Sequence, residues 1–337
     1  MSLSQDIKNK GLELGFDLVG ITDASPFNSE QAGLLSDWLN KGYAADMNYM
    51  LRNFEKRTNQ AKLLNNAKSV ICVGLNYKPP KHKSTPPHST ELLGKVANYA
   101  QYEDYHLFIK KQLHKLTDFI ISITEAGHKF KICVDSVPLA ERALAVRAGL
   151  GFIGKNHMLI NPKLGPQIFL GEIITTLKLP IDKPAFCHPE HNEAKSENLS
   201  KKIKCSSCNK CINACPTGAL EPDGRFNTNK CINYLTIEHK SGIAVELAKK
   251  IGDRLFGCDE CILVCPYYED APSCKNEQFK FYPERAKLDL DRTLNLNQQD
   301  FDTTFADSPI KRTGLERLKR NAGICNENIK KSSHYSC

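Results

Sequence analysis

The residues with the clearest chemistry are eight cysteines between positions 205 and 265. The first four form a C-x2-C-x2-C-x3-C-P run, and three more form a C-x2-C-x3-C-P run. In bacterial ferredoxins such a run gives three thiolates to one 4Fe–4S cube, while its fourth thiolate reaches the other cube. The second run lacks a ligand because Leu255 stands at its first position, and Cys231 is the only cysteine between the runs.

This spacing assigns four thiolates to each of two cubes. Cluster one takes Cys205, Cys208, Cys211 and Cys265, and cluster two takes Cys215, Cys231, Cys258 and Cys261. Paired C-x2-C motifs also bind zinc. The triple spacing followed by Cys-Pro favours iron–sulfur clusters over zinc.

The chain has the composition of an ordinary globular protein. Of its 337 residues, 41% are hydrophobic and 25% charged, and no apolar run approaches the roughly 20 residues of a membrane helix. The opening MSLSQDIKNKGLELGF predicts an amphipathic helix rather than a signal peptide. Fourteen cysteines with this spacing indicate a reducing compartment, so we expect a cytoplasmic protein. The net charge of +8 allows a polyanionic partner without requiring one.

Alternating strands and helices predict an α/β domain ahead of the cysteines. The apolar pattern predicts helices within 3–17, over 36–53 with a break near Gly42, over 105–126 and over 139–148. It predicts strands at 18–21, 69–75, 130–134 and 167–176. Residues 78–89 are predicted to form an exposed loop, 186–204 a linker and 310–330 a basic helical segment.

A second candidate site surrounds Asp135, which ends the strand predicted at 130–134. An electron relay fused to an α/β domain implies an electron-accepting site, and open α/β sheets bind ligands at the carboxyl ends of strands. Asp135 or Ser136 could equally cap the helix that follows. Glycines 149, 151 and 154 form G-x-G-x-x-G after a helix rather than a strand, so they support dinucleotide binding weakly. A turn that lets a bulky cofactor approach the backbone explains them as well.

The segment 133–160, CVDSVPLAERALAVRAGLGFIGKNHMLI, resembles the signature of the epoxyqueuosine reductase family. Tyr99, Tyr105 and His106 are similarly spaced, and so are the cysteines with Cys231-Ile-Asn-Tyr-Leu-Thr and Gly257-Cys258-Asp. Members of that family are cobalamin-dependent enzymes of the last step of queuosine synthesis in tRNA and are related to reductive dehalogenases. The resemblance covers roughly residues 1–325.

The resemblance implies three parts. These are an α/β (α+β) nitroreductase-like cobalamin-binding domain over residues 1–185, a bacterial ferredoxin-like domain with two 4Fe–4S clusters over 186–275, and a C-terminal helical segment over 276–337. The implied reaction reduces the epoxide on the wobble base of tRNA with a GUN anticodon, and the oxygen leaves as water. The implied partners are this tRNA and a ferredoxin- or flavodoxin-type electron donor. We expect a monomer without membrane association.

Individual positions also match the family. Asp135 matches the proton donor, a task for which burial should raise its pKa. The positions that match the corrin or substrate pocket are Arg57, Tyr99, Lys155 and Asn156, and those beside cluster two that face the corrin are Asn233 and Asp259. We expect phosphate contacts from a basic set, Lys201, Lys202, Lys204, Lys311, Arg312, Arg317, Lys319 and Arg320. His106 and His157 are expected to be structural, because the cobalt-binding Asp-x-His-x-x-Gly motif is absent.

Two other functions compete with this one. A reductive dehalogenase-like reductase would act on a small molecule, but such proteins are often exported and the sequence has no export signal. A bare electron carrier would need neither Asp135 nor an α/β domain ahead of the clusters. RNA binding separates the leading function from both.

Overall fold

The computed structural model describes residues 2–80, 92–182 and 205–334. Its strands are β1 Leu18–Asp23, β2 Ser69–Asn76, β3 Leu93–Val96, β4 Phe130–Cys133, β5 Phe152–Ile153, β6 Leu159–Ile160, β7 Ile168–Thr175, β8 Arg254–Phe256 and β9 Lys287–Asp289. Its helices are α1 Leu3–Glu13, α2 Ser29–Asn40, α3 Asn48–Arg52, α4 Phe54–Thr58, α5 Tyr105–Ile123, α6 Glu141–Arg147, α7 Lys210–Ala214, α8 Ile232–Ile237, α9 Val245–Ile251, α10 Glu260–Leu263, α11 Pro266–Glu269, α12 Leu290–Asn295, α13 Gln298–Thr304 and α14 Leu315–His334.

The first part is built on a four-stranded sheet of order β1-β2-β7-β4. The sequence predicted all four strands. Every neighbouring pair is antiparallel, however, so the arrangement is α+β rather than parallel α/β. Rules for the carboxyl ends of parallel strands therefore do not locate the site near Asp135, although that residue does follow β4.

Helices cover both faces of this sheet. On α5, Ile109, Leu113, Leu116 and Ile120 recur at helical spacing, are fully buried and belong to the cluster that packs on one face. The cluster on the other face includes Leu144 of α6. Because both faces are covered, all eight residues of β2 and all eight of β7 are buried.

The iron–sulfur part shares a sheet with the first part. β3 pairs in parallel with β8 and antiparallel with β9, so strand Leu93–Val96 is hydrogen-bonded between segments far along the chain. A third apolar cluster joins α14 to this sheet through Leu318, Ala322 and Phe256. Within the three described ranges, no helix has the length and apolar character needed to cross a membrane.

The segment that begins at Lys78 is not an exposed loop at its start. Lys78, predicted to begin an exposed loop, is buried, and its Nζ donates to the carbonyls of Tyr268 and Ala271, each at 2.6 Å. Residues 81–91 of that loop lie outside the described residues, as do 183–204 with Lys201, Lys202 and Lys204. The basic segment predicted at 310–330 is a 3-10 turn, Pro309–Thr313, followed by α14.

Candidate active site

The eight cysteines fall into two sets. Cys211 and Cys265 each lie within electrostatic reach of Cys205 and Cys208. Cys261 is in the same relation to Cys215, Cys231 and Cys258. Short helices that start or end at cysteines fold the loops around each set, since Cys231 precedes α8 and Cys265 precedes the Pro266 that opens α11.

The electrostatics of the thiols differ within cluster two. Burial raises the pKa of the Cys258 thiol to about 12 and raises that of Cys231. Burial acts on Cys215 in the same direction, but backbone N–H groups, including that of Ala219 at 3.3 Å, lower its pKa overall. Among the residues that the structure describes, no three His, Cys, Asp or Glu side chains converge on a single metal-ion position.

Lys155 and Asn156 attach the first part to the cluster loops. The Lys155 ammonium donates to the carbonyl of Ser206 at 2.9 Å and to Oδ1 of Asn209 at 2.8 Å. The Asn156 amide donates to the carbonyl of Cys261 at 3.2 Å. Lys155 thus contacts the loop that contains Cys205 and Cys208, and Asn156 contacts the backbone of Cys261 in the other set.

The neighbouring glycines allow close packing against the strand that contains Ile160. A Cβ on Gly151 would lie 2.3 Å from the carbonyl oxygen of Ile160, and one on Gly154 would lie 2.4 Å from the Ile160 side chain. Gly149 has a φ of +76° where α6 ends. The G-x-G-x-x-G spacing therefore reflects a helix end and the close β5–β6 hairpin.

Asp135 occupies a strained turn between β4 and α6. Its φ is +45°, unusual for a residue with a side chain, and the Ser136 amide donates across it to the Val134 carbonyl at 2.5 Å. The Asp135 amide donates to Oε1 of Glu141 at 2.6 Å. No side chain caps α6, so Asp135 and Ser136 are not the helix caps that the sequence allowed.

The Asp135 carboxylate is the end of a chain of polar contacts. Its side chain is 57% exposed, and Oδ2 lies 2.9 Å from Nε2 of His106. Nδ1 of His106 lies 2.6 Å from Oδ1 of Asp104. Nε and Nη2 of Arg312 each lie 3.2 Å from Oδ2 of Asp104. We refer to Arg312, Asp104, His106 and Asp135 as the relay.

The relay overturns two expectations. Burial alone would raise the pKa of Asp135, but the hydrogen bond and charge of His106, with Tyr105 and Arg312, lower it. The predicted rise is therefore wrong for the protein by itself. Burial alone would lower the pKa of His106, but Asp104 and Asp135 raise it. His106 is thus a titratable partner of Asp135 with a raised pKa rather than a merely structural residue, and its position two residues after an aspartate was the available signal.

Carboxyl groups that sequence reasoning missed lie around Asp135. Burial and the charge of Asp135 raise the pKa of Glu141 to about 8. Glu172, between Cys72 and Cys133 in the sheet, is fully buried, and burial raises its pKa well above the usual range. Neither Glu172 oxygen has a hydrogen-bond partner in the described part of the chain, as suits a neutral acid.

The remaining predicted pocket residues lie near Asp135 or near the cysteines of cluster two. The Arg57 guanidinium stands over the Tyr49 ring at 5.8 Å, within electrostatic reach of Asp135. Tyr99 lies near Asp135 and Asp259, and burial raises the pKa of Asp259 to about 6. Asn233 is exposed, and its Oδ1 is 3.2 Å from where a Cβ on Gly257 would stand.

Some of the residues expected to contact phosphates donate hydrogen bonds to backbone carbonyls within the protein. Arg320 donates to the carbonyls of His239 and Ser241 at 2.8 and 2.7 Å, and Arg317 donates to that of Glu238 at 3.2 Å. These two residues are therefore structural. Lys311 lies 3.6 Å from Asp302, and Arg312 remains 48% exposed beside Asp104.

Comparison with known proteins identifies the family. The family model described as epoxyqueuosine reductase QueG, DUF1730, matches residues 57–136, and a 4Fe–4S double cluster binding domain matches 204–268. The chain is 36% identical to the epoxyqueuosine reductase of Pseudomonas aeruginosa, over 96% of this chain and 84% of that protein. The chain belongs to the epoxyqueuosine reductase family. The Leadbetterella byssophila member is 38% identical over 96% of this chain and 98% of its own.

Solved epoxyqueuosine reductases share the fold. The Streptococcus thermophilus structure aligns with a TM-score of 0.83 at 30% identity, covering 98% of this chain and 82% of that one. A structure with an epoxyqueuosine-modified tRNA-Tyr stem loop aligns at 0.84, with 30% identity and the same coverage. A Bacillus subtilis structure, in which the catalytic loop of an aspartate is swung out of the active site, aligns with a TM-score of 0.83 at 30% identity and covers 98% of this chain and 82% of that one.

Proposed function

We propose that this chain reduces epoxyqueuosine to queuosine at the wobble position of tRNA, with two 4Fe–4S clusters, cobalamin and Asp135 as the proton donor. The observation that carries the proposal is the His106–Asp135 contact at 2.9 Å. Tyr99 links the two, because it lies within electrostatic reach of both Asp135 and Asp259. Tyr99 thus lies between the proton source and the residue that follows Cys258 of cluster two.

The reaction sets the demands on these residues. An epoxide, two electrons and two protons give an alkene and water, so the departing oxygen must be protonated. Asp135 is the exposed carboxyl group of the pair, and its lowered pKa leaves the proton of the pair on His106, whose pKa is raised. That proton passes from Nε2 of His106 through the Asp135 carboxyl group to the departing oxygen, and the Asp104 carboxylate stabilises the imidazolium before the transfer.

The residues around Asp135 suit a corrin with polar side groups. Nε of Arg57 is buried and has no hydrogen-bond partner among the described residues, so it is a donor available to an amide or phosphate oxygen. We propose that Arg57, Tyr99, Asn233 and Asp259 hold cobalamin. When bound, cobalamin supplies the two electrons in a strongly reducing form. Lys155 and Asn156 would act from the cluster side by fixing the loops that face it.

Cluster two, with Cys258 and Cys261, lies within electrostatic reach of Asp259, and Tyr99 lies near both Asp259 and Asp135. This position supports cluster two as the last carrier before the proton source. We propose that a ferredoxin- or flavodoxin-type donor reduces cluster one and that cluster two passes the electrons on. The nitroreductase-like character of the first part belongs to this proposal, as do a monomeric, cytoplasmic enzyme and tRNA with a GUN anticodon as substrate.

An omission series tests this function. Protein with both clusters loaded would be mixed with cobalamin, a chemical reductant and an epoxyqueuosine-bearing anticodon stem-loop, and products would be followed by mass spectrometry. We expect conversion to queuosine that requires cobalamin, clusters and reductant together. No conversion with every component bound would defeat the assignment and favour a small-molecule reductase. Absence of RNA and cobalamin binding would favour an electron carrier.

A further inference from the structure

We propose that Arg312 couples RNA binding to proton supply: a backbone phosphate of the bound RNA draws Arg312 away from Asp104, and the Asp104–His106–Asp135 chain then takes up a proton. This inference rests on the proposed function and assigns a trigger to its active site. It gives the C-terminal segment, to which Arg312 belongs, a direct effect on the catalytic carboxylate.

The geometry provides one continuous path. Asp104 uses Oδ2 for Arg312 and Oδ1 for His106, and His106 uses its second ring nitrogen for Asp135. Charges along the path alternate in sign, from guanidinium to carboxylate to imidazolium to carboxylate. Removing the guanidinium leaves two carboxylates around the imidazole of His106, which then binds its proton more readily.

Arg312 is the member of the path that can leave. Its side chain is 48% exposed, whereas those of Asp104 and His106 are 12% and 9% exposed. Its two N–H groups share a single carboxylate oxygen at 3.2 Å each, while His106 holds the other oxygen at 2.6 Å. A phosphate offers two oxygens to the guanidinium fork, which is the better arrangement.

Neighbouring cations cannot take this role. Arg317 and Arg320 donate to backbone carbonyls, and Lys311 stands near Asp302. A wobble nucleotide that reaches Asp135 brings its flanking phosphates to the same rim, where Arg312 is a half-exposed cation. Among the phosphate contacts expected from the sequence and lying in described ranges, Arg312 is therefore the one that is hydrogen-bonded into the active site.

Other charged or titratable groups face the pair without depending on Arg312. Those around His106 and Asp135 are Tyr49, Arg57, Tyr99, Tyr105, Glu141, Arg142 and Glu172. Loss of one half-exposed charge two contacts away should shift the titration midpoint of His106 upward by about 0.5–1 pH unit.

Histidine ring NMR of the whole chain tests the coupling. Cluster-loaded, cobalamin-free protein would be titrated alone and with an anticodon stem-loop that carries no epoxide, and the His106 signal would be assigned from its loss in His106→Gln. We expect RNA to raise the midpoint of His106 by about 0.5–1 pH unit. In Arg312→Gln the midpoint of the free protein should already be raised, and RNA should add little.

Two variants serve as controls. Arg312→Lys keeps the charge and should keep the low midpoint of the free protein. Lys311→Gln removes the adjacent exposed cation, which lies near Asp302 instead of Asp104, and should retain the RNA-induced shift.

Binding of the stem-loop without any change at His106, or with the same change in Arg312→Gln, would overturn the inference and leave the proposed function standing. A stem-loop that does not bind would overturn both.

Discussion

Replacing Asp104 with Asn should lower the pKa of His106 and slow the reaction above neutral pH. Asp104 has two roles, because it accepts the His106 ring N–H at 2.6 Å and also caps α5 by accepting the His106 backbone N–H at 3.0 Å. Asparagine caps helices as well as aspartate does. The substitution therefore removes the charge behind the imidazolium and retains the cap.

The magnitude follows from burial and distance. A carboxylate in contact with a cation changes the proton affinity of that cation by about ten- to a thousand-fold. We take the lower part, about 10- to 100-fold or roughly 1.4–2.7 kcal/mol, because Arg312 already offsets part of the Asp104 charge. Solvent screens the contact little, since the His106 and Asp104 side chains are 9% and 12% exposed.

The pH dependence has a definite sign. Because the folded-state pKa of His106 is raised above its unfolded value of about 6.5, its stabilisation is complete below that pH and is lost as pH rises through the folded-state pKa. The pKa of Asp104 is lowered, so its share is retained until the solution becomes acidic. Asp104→Asn should therefore lose most stability near pH 6 and clearly less near pH 9.

Two assays measure this effect. Urea unfolding at the two pH values gives the free energy of unfolding, and histidine NMR gives the His106 midpoint. Glu103→Gln is the matched control. Glu103 lies on the same turn, but its carboxylate accepts a hydrogen bond from the Lys280 backbone N–H at 2.8 Å and has no contact with the His106 ring among the described residues. An equal loss of stability at both pH values with an unchanged midpoint in Asp104→Asn would refute the reasoning.

Three further substitutions test other parts of the site. Cys231→Ala should lower bound iron from about eight to about four atoms per chain. Cys274→Ala, which changes a cysteine outside both sets, should keep all of the iron. Full iron content in Cys231→Ala would refute the ligand role of Cys231. Glu141→Ala leaves the Asp135 amide without its acceptor and should slow single turnover by about 10- to 100-fold at unchanged RNA affinity. Glu141→Gln keeps an acceptor for the Asp135 amide and should react at a rate near that of the wild type. An equal loss of rate in Glu141→Ala and Glu141→Gln would show that the carboxyl proton of Glu141, and not its hydrogen bond to the Asp135 amide, is what the reaction needs. Gly257→Ala places a Cβ 2.6 Å from that of Ala97 at a φ of +73° and should cost about 2–4 kcal/mol in chemical unfolding.

Local pattern was enough to predict the elements. The strands that became β2 and β7 are apolar runs buried on both faces, and the apolar spacing of α5 is helical over its whole length. Strand direction was not predictable in this way, because the pattern of a fully buried strand is the same in parallel and antiparallel sheets. The fold is accordingly α+β, although alternation had suggested α/β.

Residues whose role depends on distant partners were the ones misjudged. His106 contacts Asp135, which is 29 positions away, and that contact reverses the expected pKa change of the aspartate. Arg320 looked like a free cation but donates to carbonyls about 80 positions away. Periodicity and spacing describe neighbours along the chain and contain no information on such pairs.

Single-turnover reduction by an Asp135 variant tests the central claim most directly. Asp135→Ala, loaded with clusters and cobalamin, would be mixed with an epoxyqueuosine-bearing stem-loop. Ser136→Ala is the control, because the Ser136 hydroxyl donates to the Val134 carbonyl at 3.3 Å. We predict that the Asp135 variant loses at least about 100-fold in rate while RNA affinity and iron content stay unchanged, and that the Ser136 variant remains active. An Asp135→Ala rate equal to that of the wild type would contradict the assignment of Asp135 as the proton donor.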